Sequence, residues 1–525
     1  MKLTGLAHGL ASLAMVAATQ CVAAAAATSV NVPAATTKPA NAVAAPGDFV
    51  GFGFEMAFLN DYANDFSVNL MNAVGSRVSL PLTVRLGGTS NDLLTYDASQ
   101  TAVKVCVSGD CPIGSAASYI LGPSFFDGFD IFTNFSFSVQ APLSPTLNIS
   151  NAVNYVRLCL DHVPTDRLTA IAIGNEPDLY AGQFKVTYNV SDYVAGVTTM
   201  RSSLTEELGL TGQIFELMDI AYLADSTNTA KITIQNAFNL GVNAPRTATA
   251  AAVHWYQVWD KITTLDDMQA YLMNHSATVG NFSAGSPQDI AYLAANYPKV
   301  KYVFSETGTG LVSPLQIQGS LGAALFYADF QLYAMTQGAK RVDGTMRPAA
   351  NHSLWVPDAS AAPANPGPQV RAPFYTLPFV ADFIGQTPGN VIEVALNSDV
   401  LTAYASYSPS TGLLSKVALI NLQAWAEGVS TGARGSVTFS VPAPSAATVS
   451  ATVRRLTAAA GCQALGYDYA GPAQNITWAG EQWSYAIDNG KGHMVAGVSA
   501  TETVAVVNGA VQVTVLDSEA VIVSF

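Results

Sequence analysis

With 525 residues, 50% of them apolar and 11% charged, the chain can bury a barrel-sized core plus a smaller one, and it lacks the dense charge that keeps a polymer disordered. Lys and Arg number 23 against 37 Asp and Glu, a formal charge of −14. That balance repels polyanions at long range, so neither nucleic acid nor a heavily sulfated glycan is an expected partner.

In chain order, residues 1–26 read as an export signal. Lys2 supplies a positive start, 6–18 an apolar stretch, and the Ala-rich run 23–27 small residues for cleavage. The Ala/Thr/Pro-rich segment 27–47 is expected to be a flexible leader in which 29–32 can add a strand to a later sheet. No subsequent stretch reaches the ~18 strongly apolar residues that span a bilayer. The expectation is a secreted, extracellular protein with no membrane partner.

From 48 to 377, strand-like runs alternate with helical ones, the pattern of βα units around a parallel sheet. Strands are predicted at 49–58, 82–88, 132–140, 168–176, 212–220, 249–257, 301–307 and 339–346. Between them lie helical stretches such as 153–163, 193–209 and 322–338, the last with apolar residues at i, i+3, i+4 and i+7. This is an α/β architecture, a (β/α)8 barrel. The texture turns to a Pro-, Ala- and Asn-rich loop over 349–373. Segments in 378–525 then alternate polar and apolar residues between turn signals, which predicts a C-terminal all-β sandwich packed on the barrel.

Two predicted strands end in carboxylates. IAIGNEPDLY over 171–180 aims Glu176 out of an apolar run, and KYVFSETGTG over 301–310 repeats the design with Glu306. In a (β/α)8 barrel the reactive groups sit at the C-terminal ends of strands, so the two glutamates can share one mouth. Retaining glycosidases need such a pair roughly 5–5.5 Å apart, one to protonate the leaving oxygen and one to attack the anomeric carbon. Each glutamate alone also fits a solvated turn; the pairing in matching contexts is what points to glycoside hydrolysis.

Four cysteines remain once Cys21 leaves with the signal. Cys106 and Cys111 flank a four-residue turn and suit a short disulfide loop in an oxidising compartment, whereas the pairing of Cys159 and Cys462 cannot be read. No Cys/His spacing suggests a metal site, and neither metal nor cofactor is expected. Sequons at Asn134, Asn148, Asn189, Asn274, Asn281, Asn351 and Asn475 are compatible with a glycosylated extracellular enzyme.

The segments FGFEMAF (52–58), RLGGTSND (85–92), GNEP (174–177), SETG (305–308), YAMTQGAKRV (333–342) and the closing DSEAVIVSF (517–525) make the chain resemble glycoside hydrolase family 79. That family holds β-glucuronidases and heparanase-like enzymes within a clan of retaining barrel glycosidases. The resemblance implies Glu176 as acid/base, Glu306 as nucleophile and Asn175 as a partner of the sugar 2-hydroxyl. It also implies Glu55 as an acceptor from sugar hydroxyls and Tyr256 as a lining of the nucleophile's pocket. Plainer readings are an ion pair of Glu55 with Arg85, which is itself expected to orient carboxylates at the mouth, and aromatic packing for Tyr256.

The chain departs from the family where members grip a sugar carboxylate after strands 7 and 8: the corresponding positions hold Leu311 and His352. His352 is expected to bind substrate, protonated at acidic pH and donating to a carboxylate; its place in the Asn351 sequon also allows a surface residue on a glycosylated loop. The functional expectation is a secreted retaining exo-β-glycosidase of β-glucuronidase type, acting on a carbohydrate or glycoconjugate. The alternatives are a β-glycosidase of the clan acting on neutral sugars, and a catalytically silent glycan-binding wall protein.

Overall fold

A computed structural model describes residues 28–108, 111, 117–221, 230–348, 350–358, 367–469 and 475–525; the expected export signal and Cys21 lie outside them. All eight barrel strands form where apolar runs predicted them: β1 (Val50–Glu55), β2 (Thr83–Gly87), β3 (Ser136–Ala141), β4 (Leu168–Ile173), β5 (Phe215–Ile220), β6 (Ala248–Val258), β7 (Lys301–Gly310) and β8 (Arg341–Met346). They pair in parallel and in chain order, with β8 returning to β1 to close the barrel. Strands covered on both faces read as continuous apolar runs rather than as alternation, which is why they were conspicuous in the sequence.

Helices α1 (Asp65–Gly75), α2 (Ile149–His162), α3 (Val190–Leu208), α4 (Ser286–Asn296) and α5 (Leu321–Gln337) follow β1, β3, β4, β6 and β7. The connection from β2 to β3 instead carries a small three-stranded sheet, within which Cys106 and Cys111 are disulfide-bonded. Cys159 and Cys462 are buried free thiols. Three sequon asparagines do local structural work: Asn148, Asn189 and Asn274 accept a backbone N–H from the first turn of the helix each precedes. No helix among the described residues is long and apolar enough to cross a membrane.

The C-terminal part is all-β. Strand β15 (Glu519–Ser524) lies between β11 (Leu414–Asn421) and β13 (Ser450–Thr457), and β10 (Leu401–Tyr407) and β9 (Asn390–Glu393) extend that sheet. The second sheet pairs β12 (Ser436–Pro442) with β14 (Ala510–Leu516). Along β15, Val521 and Val523 enter the core between the sheets while Ala520 and Ile522 join the barrel's core. Period-two alternation thus lets one strand serve two apolar layers.

One expectation needs correction. The segment expected to be a flexible leader is tied down: Thr28–Asn31 pairs with β12, Val43–Ala44 pairs with β9, and Val32 is buried between the sheets. An extended strand donating backbone hydrogen bonds at a sheet edge needs little hydrophobicity, so its Ala/Thr/Pro composition concealed it. Helix α5 forms over the expected stretch and is buried on every side from Leu321 to Met335, because the barrel covers one flank and the β domain the other. Its one acid, Asp329, accepts from Tyr404 Oη at 2.6 Å and pairs with His275 at 2.9 Å. Helix α6 (Thr376–Ile384) runs across the expected domain boundary at 377 and packs on α1 and α5.

Near the N-terminal end of the barrel interior, Arg341 donates from Nε to Asp343 at 2.8 Å and from Nη2 to Glu216 at 2.9 Å, all three side chains being buried. Gly51 makes room for this cluster, since a Cβ there would lie 1.9 Å from Asp343 Oδ1. Removing the cation strands two buried carboxylates. Arg341→Met is therefore expected to lower stability by about 3–5 kcal/mol, read as an earlier midpoint in chemical denaturation; an unchanged midpoint would contradict the pairing.

Candidate active site

Six strand ends, those of β1, β2, β4, β5, β6 and β7, deliver one polar cluster to the C-terminal mouth of the barrel. β4 stops at Ile173, after which Gly174 at φ +77° and Glu176 at φ +48° turn the chain sharply into Pro177. Only glycine fits at 174, since a Cβ would meet the Leu143 side chain and Tyr180 Oη at 2.8–2.9 Å. The left-handed Glu176 is held by its own N–H, which donates to Asp219 O at 2.8 Å. Asp92 fixes the turn from below, accepting the N–H of Asn175 at 3.0 Å and that of Leu143 at 2.8 Å. Strain of this kind, costing about 1–3 kcal/mol per residue, persists where neighbours over-determine it.

Glu306 is aimed by an irregularity. Val253 pairs with Phe304 but His254 pairs with Glu306, so Ser305 is an extra residue opposite β6. A bulge lets neighbouring side chains escape strict alternation. As a result Ser305 Oγ donates to Asp219 Oδ1 while Glu306 also reaches the mouth.

There Glu306 Oε1 accepts from Tyr256 Oη at 2.5 Å and Oε2 accepts from Arg85 Nη1 at 3.2 Å. Arg85, fully buried, also donates from Nη2 to Asn175 Oδ1 at 2.8 Å and to Asp219 Oδ1 at 3.2 Å. Between the acids stands His254. Its Nδ1 lies 3.0 Å from Glu176 Oε1 and 3.9 Å from Glu306 Oε2, and its Nε2 3.2 Å from Asp219 Oδ1. One oxygen of Glu176 and one of Glu306 fall within 4.8 Å of each other.

The electrostatics follow from this geometry. Burial alone would neutralise His254, but Glu306, Asp219 and Glu176 outweigh it and lift the imidazole to about 10. Burial likewise opposes charge on Glu306, yet His254, Arg85 and the Tyr256 hydroxyl hold its carboxyl below the usual range, so it is ionised. Glu55, at the end of β1, goes the other way: burial and the Glu306 charge raise it. Its carboxylate accepts from Ser90 N at 2.7 Å and occupies the space a side chain at Gly88 would need. A protonated His254 has no lone pair for a metal, although Glu176, His254 and Glu306 are close enough to chelate one. A second group, Asp127, Asp130 and His162, lies on the surface.

The structure thus brings Glu55, Asn175, Glu176, Tyr256 and Glu306 to one opening. Arg85 orients carboxylates there as expected, but its partners are Glu306 and Asp219, without a direct pair to Glu55. His352 comes to the same opening in an unexpected state. It is buried, with its ring 5.7 Å from that of Tyr256. Nδ1 must donate to Gly310 O at 3.0 Å, because a carbonyl only accepts, and Nε2 has no partner. Burial and the charge of Arg347 push its pKa down to about 3. It is neither a surface residue nor a protonated donor: the sequence shows the imidazole but not its desolvation. Leu311 is exposed and apolar.

Sequence reasoning missed His254, Asp219 and Asp92. Each had a faint signal, a polar residue at the C-terminal end of a predicted strand or inside the RLGGTSND segment, with nothing to set it apart from a turn residue.

Because the His254 pKa is raised in the fold, from 6.5 to about 10, the protonated form is the one folding favours. Its stabilising contribution is complete below about 6.5 and drains away as pH climbs toward 10. The stability difference between the wild type and His254→Gln should therefore shrink over that window, by at most about 1.4 kcal/mol per pH unit. Chemical denaturation at several pH values measures it, and a difference independent of pH would show that His254 is neutral.

Residues 403–522 match the C-terminal beta domain of glycosyl hydrolase family 79. A beta-glucuronidase of Neurospora crassa is 26% identical over 521 residues, covering 86% of this chain and 87% of that protein. A beta-glucuronidase of Aspergillus niger is 25% identical over 513 residues, covering 91% and 90%. Among solved structures, a 4-O-alpha-L-rhamnosyl-beta-D-glucuronidase from Fusarium oxysporum shares the fold with a TM-score of 0.77 at 20% identity, over 95% of this chain and 100% of that one. With a (β/α)8 barrel, a paired-glutamate mouth and the C-terminal beta domain of glycoside hydrolase family 79 in place, the chain is a glycosidase that resembles the members of that family along most of its length.

Proposed function

We propose that the protein is a secreted, retaining, exo-acting β-glycosidase of β-glucuronidase type, with Glu306 as nucleophile and Glu176 as acid/base. The observation that carries this reading is the approach of the two carboxyl groups to within 4.8 Å, suited to direct attack and too close to leave room for the water that inverting enzymes place between their carboxyls. Glu306, ionised and fixed by Arg85 and Tyr256, attacks the anomeric carbon while Glu176 protonates the departing glycosidic oxygen. Glu176, now anionic, then takes a proton from the water that cleaves the glycosyl-enzyme.

Negative charge moves from Glu306 to Glu176 in the first step and back in the second. His254⁺ touches both, so it opposes whichever carboxylate is charged without itself moving. Asn175, whose Oδ1 is occupied by Arg85 and whose Nδ2 donates to Thr89 Oγ1 at 3.4 Å, keeps one amide N–H to donate to a sugar 2-hydroxyl, and Glu55 accepts from sugar hydroxyls. The glucuronide preference is supported by the two fungal beta-glucuronidases that the chain resembles along most of its length. Export is supported by the N-terminal sequence, and the acidic charge argues against a nucleic acid or membrane partner. The neutral-sugar reading draws on Leu311 and on the uncharged His352, neither of which donates to a carboxylate.

Aryl β-glycosides decide between the two. Release of the aryl group from the β-glucuronide is expected, and release only from β-glucoside, β-galactoside or β-xyloside would overturn the glucuronide preference. The roles separate under rescue. Glu306→Ala with azide should form an α-glycosyl azide, and Glu176→Ala with a good leaving group a β-glycosyl azide. Near-native hydrolysis by Glu306→Ala would remove the nucleophile assignment.

A further inference from the structure

The loop after β8 carries a cation that has no partner among the described residues. Arg347 is the first residue beyond Met346, and both of its backbone groups are pinned: its N–H donates to Ser353 Oγ at 2.9 Å, and its carbonyl accepts from Ser353 Oγ at 2.6 Å and Ala350 N at 2.9 Å. The side chain therefore leaves the backbone from a fixed point on the rim.

The residue is half-buried. Among the described residues it has neither an ion-pair nor a side-chain hydrogen-bond partner, in contrast to Arg85 and Arg341, which pair with carboxylates, and Arg371, which donates to backbone carbonyls. The charge nevertheless acts on Glu55, Glu306 and His352. Those three come from β1, β7 and the β8 loop and surround the opening, so Arg347 looks onto the space beside the carboxylate pair.

Neither glutamate depends on it. Glu306 is already bound by Arg85 and Tyr256, and Glu55 by Ser90. In a chain with 37 acids and 23 bases, a half-buried arginine with no acid beside it among the described residues suits an anion from outside. The neighbouring groups cannot take that anion. His352 offers a lone pair, not a proton, at its unpartnered Nε2, Leu311 is a hydrocarbon, and Arg85 is buried and already paired with Asp219 and Glu306.

We propose that Arg347 determines specificity for an acidic sugar, its guanidinium pairing with the carboxylate of a β-linked hexuronate whose anomeric carbon faces Glu306. The inference rests on the β-glucuronidase reading and names the residue through which it operates. A guanidinium suits the task because it stays charged at any working pH and can offer two parallel N–H donors to the two carboxylate oxygens. His352 beside it accepts from a sugar hydroxyl, so the β8 loop presents one donor for an anion and one acceptor for a hydroxyl.

The test uses the full chain with Arg347→Gln and Arg347→Lys, each checked for an unchanged unfolding midpoint. The substrates are an aryl β-glucuronide, its neutral methyl ester and an aryl β-glucoside. Arg347→Gln should lower kcat/KM on the glucuronide by about 10- to 100-fold, the loss of one charge-assisted pair, chiefly through KM, while leaving the neutral substrates nearly unchanged. Arg347→Lys should recover part of the loss, since it keeps the charge without the fork. Where a neutral substrate is not turned over, inhibition constants for glucuronate and glucuronamide give the same comparison: the wild type should prefer the acid and Arg347→Gln should not.

Equal losses on charged and neutral compounds would make Arg347 an electrostatic support of Glu306 and overturn the proposal, as would no loss on either. A wild type that cleaves neutral glycosides alone and shows no preference for glucuronate over its amide fails at the earlier step, and the β-glucuronidase reading falls with the inference. A wild type that prefers the acid while Arg347→Gln keeps that preference overturns only the inference.

Discussion

The pairing of His254 and Arg85 with Asp219 is the constraint on which the mouth of this barrel depends. Two cations and an acid sit almost without solvent at the top of the barrel, and taking ions from water is repaid only when each meets opposite charge in good geometry. Asp219 Oδ1 alone accepts from Arg85, His254 and Ser305. That convergence fixes the end of β5 relative to β2, β6 and β7 at once. It requires Met218 and Asp219 to adopt positive φ, +87° and +44°, and a register shift beside them. The backbone irregularities of β5 and β7 are thus two sides of one device: each bends a strand end so that an additional polar side chain faces inward.

From this anchor the charge state of the mouth follows. With His254 protonated against three carboxylates, Glu306 can remain ionised despite burial, while Arg85 and Tyr256 each donate to one of its oxygens and fix its orientation. Glu55 has no such cation in contact and is raised instead. Two carboxyl groups facing one opening thus acquire opposite tendencies from their neighbours, and it is the nucleophile candidate that is held ionised. The β domain contributes at a distance. It clamps α5, the helix that follows β7, through Tyr404 and Asp329 and through the apolar layer of Ala520 and Ile522, so the strand that bears Glu306 is backed by a helix with no free face.

Much of this architecture was legible because its causes are local. Parallel strands buried on both faces must be apolar throughout, and so eight of them stood out. Glu176 and Glu306 stood out because a carboxylate ending such a run is conspicuous. What stayed hidden depends on partners far away in sequence. His254 reads as an aromatic-rich strand end until Asp219 and Glu176 are seen to flank it. The burial of His352 arises from Tyr256 and Gly308 on other strands, and a bulge at Ser305 leaves no trace in composition. The 27–47 segment misled for the opposite reason, since its strands are held by backbone hydrogen bonds that any sequence can make.

The contrast between His352 and Arg347, five positions apart on one loop, shows how residue type and environment divide the work. Imidazole titrates within reach of neutral pH, so desolvation suffices to strip its proton and leave an acceptor. Guanidinium does not, so the same surroundings leave it charged and seeking a counterion. The mouth then sets Arg85, His254⁺ and Arg347 against Asp219, Glu176, Glu306 and a Glu55 whose ionisation is disfavoured. Although the molecule as a whole is strongly acidic, cations and acids at this opening are close to balanced. A small anionic sugar is therefore admitted where a polyanion, which must lie along the acidic surface as well, is repelled.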